Sequence, residues 1–324
     1  MKTFLKYLGI GLLVVLLGLA LAAYWFLYAD TVPEPDLPGR MEAGVLEQDG
    51  YQRHWQAYVP ASKAEAPALV IVYHGSTGDG SRIRSGTFYG FDVQAERHGF
   101  VVAYPDGVQR HWNDCRTNAS YAANQLNIDD VGFTRALVAK LADDYGIDPR
   151  RVFVAGMSNG GHMVYRLAYE APDLIAAAVA FSANLPVDSN NACEQRQIPV
   201  PMMMIVGTED AISPYQGGIV GVGGDESRGE VLSAEASARY WAQLAGYTGS
   251  GERRNWPDKL AEDGTEVQSL SWSSPGKPSV ELVTVVGGGH VIPHPVFRLP
   301  RILGRTSHEF DATELAWTFF ASTP

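Results

Sequence analysis

Residues 151 to 168, RVFVAGMSNGGHMVYRLA, carry an apolar run into a helical pattern through a serine set between two glycines. Val152, Phe153, Val154 and Ala155 read as a short buried strand, and Met163, Leu167 and Ala168 follow with helical spacing. A G-x-S-x-G turn between a strand and a helix is a nucleophile elbow, with Ser158 in the strained position and its hydroxyl exposed. Glycine is required at 156 and 160 because strand and helix approach so closely there that a side chain would collide. The helix start also aims unsatisfied backbone amides at the place where an acyl oxyanion would form. The alternative is a glycine-rich turn whose serine merely caps the helix.

Outward from this turn, apolar strand-like runs recur at 54–59, 68–73, 100–104, 176–182, 201–206 and 281–286. Helical stretches lie between several of them, including 129–145 and 232–245. That alternation predicts an α/β fold with a mostly parallel sheet and helices on both faces. At 324 residues and 46% hydrophobic composition the chain can bury a large core, and one large domain is the simplest division. The glycine-rich stretch 214–228, SPYQGGIVGVGGDES, lacks a helix start at the spacing a dinucleotide loop needs and reads as a mobile surface loop.

The N-terminus is of a different character. Lys2 and Lys6 precede an apolar run from Tyr7 to Tyr28, long enough to cross a bilayer. Ala20, Leu21 and Ala22 offer a cleavage pattern, yet Tyr24 to Leu27 extend the apolar run past it, which favours an anchor over a cleaved signal peptide. Residues 1–28 are thus a signal anchor or signal peptide, 29–40 a proline-rich tether, and 41–324 the catalytic domain. The two lysines hold the N-terminus in the cytoplasm and send the remainder outside, to a periplasmic or cell-surface location. The net charge is −11, and taking away those two lysines leaves −13 on the exported part, which argues against nucleic acid as a partner. Cys115 and Cys193, the only cysteines, have no metal-ligand spacing and are expected to form one disulfide in such a compartment, with two buried thiols as the alternative.

A serine hydroxyl needs a base within hydrogen-bond reach and an acid to orient that base. In the order serine, acid, histidine, Asp210 closes the buried run PMMMIVGTED, with Glu209 as its rival. His290 follows a late strand and a triple glycine in LVTVVGGGH, with His294 as its competitor. The run VIVYHGSTG places His74 and Gly75 where a second oxyanion amide belongs, so the donors are expected from Ser76 and Asn159. His74 is expected to hold that loop rather than to transfer a proton.

Together the segments LVIVYHG, GFVVAYPDG, HWNDC, IDDVGFTRALVAKLADDYGIDPRRVFVAGMSNGGHM, VGTEDAISPYQGG and GGGHVIP make residues 45 to 320 resemble the polyhydroxybutyrate depolymerase and feruloyl-esterase-like family of α/β hydrolases. The resemblance implies an α/β-hydrolase fold with Ser158 as nucleophile, Asp210 as triad acid and His290 as base. It also implies that Tyr104, Pro105, Asp106, Gly107, Trp112, Asn113 and Asp114 lie beside the active-site mouth, with Trp112 packing on a sugar ring or aromatic acid, and His74, Trp112, Asn113 and Asp114 are the expected substrate-side residues. A tryptophan anchored in the core is the alternative for that position. Many relatives have cysteine where Ser76 stands, so a Cys115–Cys193 bridge would tether neighbouring loops instead.

The expected activity is hydrolysis of a small-molecule or oligosaccharide ester through an acyl-enzyme, with no metal and no organic cofactor. Feruloyl or acetyl esters of carbohydrates are the first expectation, and hydroxyalkanoate oligomers the second. A serine peptidase on the same fold and a non-catalytic envelope scaffold are the readings from other classes.

Overall fold

The structure is a computed structural model that describes residues 2–323. Twelve strands occur in chain order: β1 (Arg40–Gln48), β2 (Tyr51–Val59), β3 (Leu69–Tyr73), β4 (Val101–Pro105), β5 (Val152–Met157), β6 (Ala177–Phe181), β7 (Met202–Gly207), β8 (Gly218–Ile219), β9 (Glu230–Val231), β10 (Glu252–Asn255), β11 (Glu266–Trp272) and β12 (Val280–Val286). The α-helices are α1 (Lys2–Leu27), α2 (Gly80–Gly86), α3 (Gly90–His98), α4 (Ala122–Gln125), α5 (Asp130–Tyr145), α6 (Asn159–Glu170), α7 (Ala234–Leu244) and α8 (Ala312–Ala321).

Ten strands form one sheet in the order β1-β2-β4-β3-β5-β6-β7-β12-β11-β10, and β8 pairs with β9 in a small separate hairpin. The stretch from β4 to β12 is parallel, and antiparallel pairs close both edges. This is the α/β arrangement expected from the sequence, with β1, β10 and β11 added at the edges. Strand order reverses at β3, since β4 lies on one side of it and β5 on the other. A crevice therefore opens beyond the carboxyl ends of β3 and β5, the usual ligand position in such sheets.

Alternation along the central strands builds two apolar layers. Ile71 and Val154 face a layer with Phe133 and Leu137 of α5, Met163 and Leu167 of α6, and Trp241 of α7. Val70, Val72 and Phe153 face the opposite layer with Phe91 of α3 and Trp317 and Phe320 of α8. Strands buried on both faces read as continuous Val, Ile and Ala runs, which is why these were legible. A Cβ on Gly156 would overlap the carbonyl of Gly160, and one on Gly160 would overlap the carbonyl of Tyr73, so both glycines of the elbow are sterically required.

Helix α1 is fully exposed and long and apolar enough to cross a membrane. The proline-rich stretch after it has no regular structure until Arg40. It nonetheless lies along the domain: Asp30 N–H donates to the Arg298 carbonyl, Glu34 pairs with Arg84, and Gly39 N–H donates to the Tyr58 hydroxyl. The glycine-rich loop 214–228 departs from its reading as plain surface. It carries β8, buries Val220, and sends Val222 and Arg228 to the wall of the crevice, where the Arg228 Nε–H donates to Tyr121 Oη.

Candidate active site

Ser158 stands between β5 and α6 with φ 56° and ψ −117°, a left-handed conformation that costs on the order of 1–3 kcal/mol for a residue other than glycine. Its amide donates to the Phe181 carbonyl and its carbonyl accepts from His162, which fixes the turn from both sides. Ser158 and His290 line the same cavity of about 450 Å³, within the range that holds a small organic ligand.

Past the end of β7 the chain delivers Asp210, whose side chain is fully buried. Its Oδ1 accepts from the Ile212 and Ser213 amides at 2.8 Å each, and its Oδ2 accepts from His290 Nδ1 at 2.7 Å. With Nδ1 committed to Asp210, Nε2 is the imidazole nitrogen left to act as a base. Glu209 turns outward and accepts from Arg305 at 3.0 Å. His294 is occupied elsewhere: its Nδ1 accepts from the Val296 and Phe297 amides, and its ring packs between Phe88 and Phe297. The structure thus joins Asp210 to His290, and neither rival shares the arrangement. The glycines before His290 have a physical reason, because a Cβ on Gly288 would overlap the Val285 side chain and one on Gly289 the Leu303 carbonyl.

The loop after β3 comes equally close to the elbow. A Cβ on Gly75 would lie 3.5 Å from Cβ of Ser158. Among the described residues neither the Ser76 nor the Asn159 amide has a protein acceptor. Two free donors flanking a serine in a mainly apolar cavity are suited to an anionic oxygen. His74 holds this loop in place, its Nδ1–H donating to the Gly75 carbonyl at 2.7 Å while Nε2 accepts from the Gly107 amide at 2.9 Å. Burial pulls its pKa down to about 4, so the ring is neutral and has no free nitrogen for proton transfer. His74 lies in the cavity wall and is itself nearly fully buried.

Trp112, Asn113 and Asp114 do not line the cavity. The Trp112 indole has no exposed surface, packs edge-on against Tyr73 and donates to the His74 carbonyl at 2.9 Å. Asn113 is held by Asp130 and the Ile128 carbonyl, and Asp114 is ion-paired with the buried Arg116. The expected stacking of Trp112 on substrate gives way to a buried role, because the loop's polar groups are consumed in fixing the elbow. Asn159 Oδ1 accepts from the Trp112 amide, and Asn159 Nδ2 donates to the Trp112 carbonyl and Asp114 Oδ2. The loop therefore clamps the residue whose amide is one of the two free donors. Replacing Asn159 by alanine is expected to lower kcat on an ester by about 10²-fold, toward the effect of losing one donor, with KM nearly unchanged. Steady-state kinetics beside a thermal melt check this, and an unchanged kcat in a folded variant would contradict the clamp.

Cys115 and Cys193 are joined in a disulfide across a sequence separation of 78. It ties the loop carrying Asp114 and Arg116 to the segment at 191–193, where the Ala192 amide also donates to the Cys115 carbonyl. Replacing both cysteines by serine is expected to cost about 2–4 kcal/mol of stability. Urea unfolding of the two proteins measures it, and coincident midpoints would show that the clip adds nothing.

Sequence reasoning missed several lining residues. His162, one helical turn after Ser158, is buried in the cavity wall with an unpartnered Nδ1, and burial beside Arg116 pushes its pKa down to about 3. Its spacing of four from the serine was the available signal. Ile83, Met157, Ile212, Val220, Leu299 and Leu303 supply most of the apolar wall, and they come from helix α2, the end of β5 and separate loops whose convergence no local pattern shows.

Residues 54–197 match the family model described as "Esterase PHB depolymerase". That span includes Ser158, Ser76 and Asn159 and ends before Asp210. A Nocardia uniformis subsp. tsuyamanensis protein carried under an esterase name is 28% identical over 83% of this chain and 78% of its own length. Feruloyl esterase B of Piromyces equi is 30% identical over 70% of this chain, and the chain spans only 40% of that relative's length. Among solved structures, acetyl xylan esterase from Aspergillus awamori aligns with TM-score 0.53 and 19% identity over 78% of this chain and 95% of that one, which establishes a shared fold. Residues 54–197 thus match the esterase PHB depolymerase family model, on an α/β fold shared with that solved esterase.

Proposed function

We propose that this chain is an exported serine ester hydrolase, tethered through residues 1–28 and 29–40 to a membrane and acting through a catalytic domain at 41–324. In this mechanism His290 Nε2 takes the proton of the Ser158 hydroxyl as Oγ attacks the ester carbonyl. Asp210 holds the imidazole in the tautomer that can accept, and stabilises the imidazolium. The tetrahedral oxyanion lies between the Ser76 and Asn159 amides. The alcohol leaves with the proton from His290, and water, deprotonated by the same nitrogen, releases the acid from the acyl-enzyme.

The single observation that carries this reading is the buried Asp210–His290 pair opening on the same cavity as a strained serine and two unpartnered amides. The names of the relatives, feruloyl and acetylxylan esterases, favour hydroxycinnamoyl or acetyl esters of carbohydrates. Hydroxyalkanoate oligomers come second. An apolar wall fits an acyl or aryl arm in either case.

A panel of 4-nitrophenyl esters, methyl ferulate, an acetylated xylo-oligosaccharide and a matched peptide amide tests the proposal on the full chain in detergent. Turnover of esters with little or none of the amide is the expected result. Preferred cleavage of the amide would favour a peptidase, and no turnover of any member by the folded protein would favour a scaffold.

A further inference from the structure

The segment 295–305, PVFRLPRILGR, is positioned by α1 at one end and by the active site at the other. Asp30, three residues past α1, exchanges two hydrogen bonds with the Arg298 main chain, one through its amide and one through Oδ2. The Arg298 guanidinium lies 4.8 Å from the ring of Tyr28, and the Arg301 guanidinium 3.9 Å from the ring of Trp25. These rings belong to the Tyr24–Tyr28 aromatic cluster at the outer end of the apolar helix, the composition that marks headgroup depth at a bilayer. The segment is therefore held at the level where α1 leaves the membrane.

Its two faces divide the work. Leu299 and Leu303 point into the wall of the Ser158 cavity, and the Leu303 carbonyl accepts from the His290 amide at 2.6 Å. Val296 and Ile302 are 67% and 63% exposed, two large apolar side chains set among arginines and left uncovered by the described residues. An exposed apolar pair beside a membrane helix, interspersed with cations and aromatics, has the chemistry of an interfacial surface. The occupant is set by continuity: a bilayer that holds α1 lies against this segment.

We propose that segment 295–305 rests on the lipid surface, so that the Ser158 cavity opens at the bilayer and receives its ester from there, as an amphiphile with an apolar acyl or aryl arm. The proposal rests on the ester-hydrolase reading for what is cleaved. Its geometric part stands on α1 and the segment alone.

The test uses the full chain reconstituted in phosphatidylcholine–phosphatidylglycerol vesicles, with photoactivatable benzoylphenylalanine at position 296, at 302, or at 63. Lys63 is exposed in the turn leading into β3, at the opposite end of the strands. Lipid adducts at 296 and 302 are expected at about five-fold or more over position 63. Equal adduct at all three positions, or cross-links chiefly to a second copy of the chain, would overturn the proposal. In a second arm, Val296→Ser with Ile302→Ser is expected to lower turnover of vesicle-borne 4-nitrophenyl palmitate by about five-fold while soluble 4-nitrophenyl acetate is cleaved as before. Equal change on both esters would contradict delivery from the membrane. Lipid adducts at 296 and 302 without cleavage of either ester would refute the hydrolase reading and leave the docked geometry standing.

Discussion

Ser158→Ala is expected to lower kcat on a 4-nitrophenyl ester by about 10⁵–10⁶-fold, because the acyl-enzyme route disappears and only the oxyanion donors and binding remain. The fold should persist, since the serine hydroxyl has no hydrogen bond to a protein group among the described residues. Asp210→Asn is expected to cost about 10⁴-fold for a reason visible in the loop. The Ile212 and Ser213 amides both donate to Oδ1, so the carboxamide oxygen of asparagine takes that place. Its NH₂ then faces His290 Nδ1, a donor against a donor, and the imidazole must move its proton to Nε2. A histidine protonated at Nε2 cannot accept from Ser158. Pre-steady-state kinetics separate the two variants: alanine at 158 gives no burst, and asparagine at 210 gives a slow one. A full burst in either would contradict the assigned roles.

The second large effect concerns pH. His74 and His162 are buried and neutral, with pKa values pulled down to about 4 and about 3, whereas an unfolded histidine titrates near 6.5. Between those values the unfolded chain binds protons that the folded chain refuses, so stability falls as the pH drops. Their contribution is fully present above about pH 6.5 and is lost progressively toward pH 3–4, on the order of several kcal/mol for the pair. Around His162, burial is the first cause of the lowered pKa, Arg116 adds to it, and Asp114 opposes it. Asp92 and Asp130 act in the opposite sense, because burial raises their pKa values and the folded state takes up their protons first. The histidines, whose unfolded forms titrate near 6.5, are expected to set the fall that begins there. Thermal melts across that range should show a steep acid fall in the wild type and a shallower one in His162→Gln. Parallel curves would remove His162 as a cause.

Much of this site could be read from sequence, for reasons that lie in particular residues. The parallel strands are buried on both faces and spell apolar runs, and the elbow announces itself through two glycines that the structure shows to be sterically required. Asp210 and His290 each follow such a run, so their positions at the carboxyl end of the sheet followed from the strands themselves. The edges were silent: β10 is Glu252–Asn255, all exposed, and it joins the sheet through its backbone alone. Helix α3 begins after Phe88 and Tyr89 in left-handed conformations, which no propensity rule anticipates. Helix α5 was found from its period, and it buries Phe133, Leu137, Val138 and Leu141.

The largest misplacement was the Trp112–Asp114 loop. Its aromatic and polar residues carry the same signal whether they meet a substrate or the protein, and only the partners of Asn159 reveal which. Convergence of distant segments is the other blind spot, since Ile83 of α2, Val220 and Leu299 become one wall only after the sheet has brought them together.

A fluorophosphonate probe tests the central claim most directly, because it forms a covalent adduct with a serine only where a base and an oxyanion site already act together. Intact-mass measurement of the full chain is predicted to show one adduct, mapped to the peptide that contains Ser158 and absent from Ser158→Ala. A folded wild-type protein that stays unmodified, or an adduct on another residue that persists in Ser158→Ala, would contradict it.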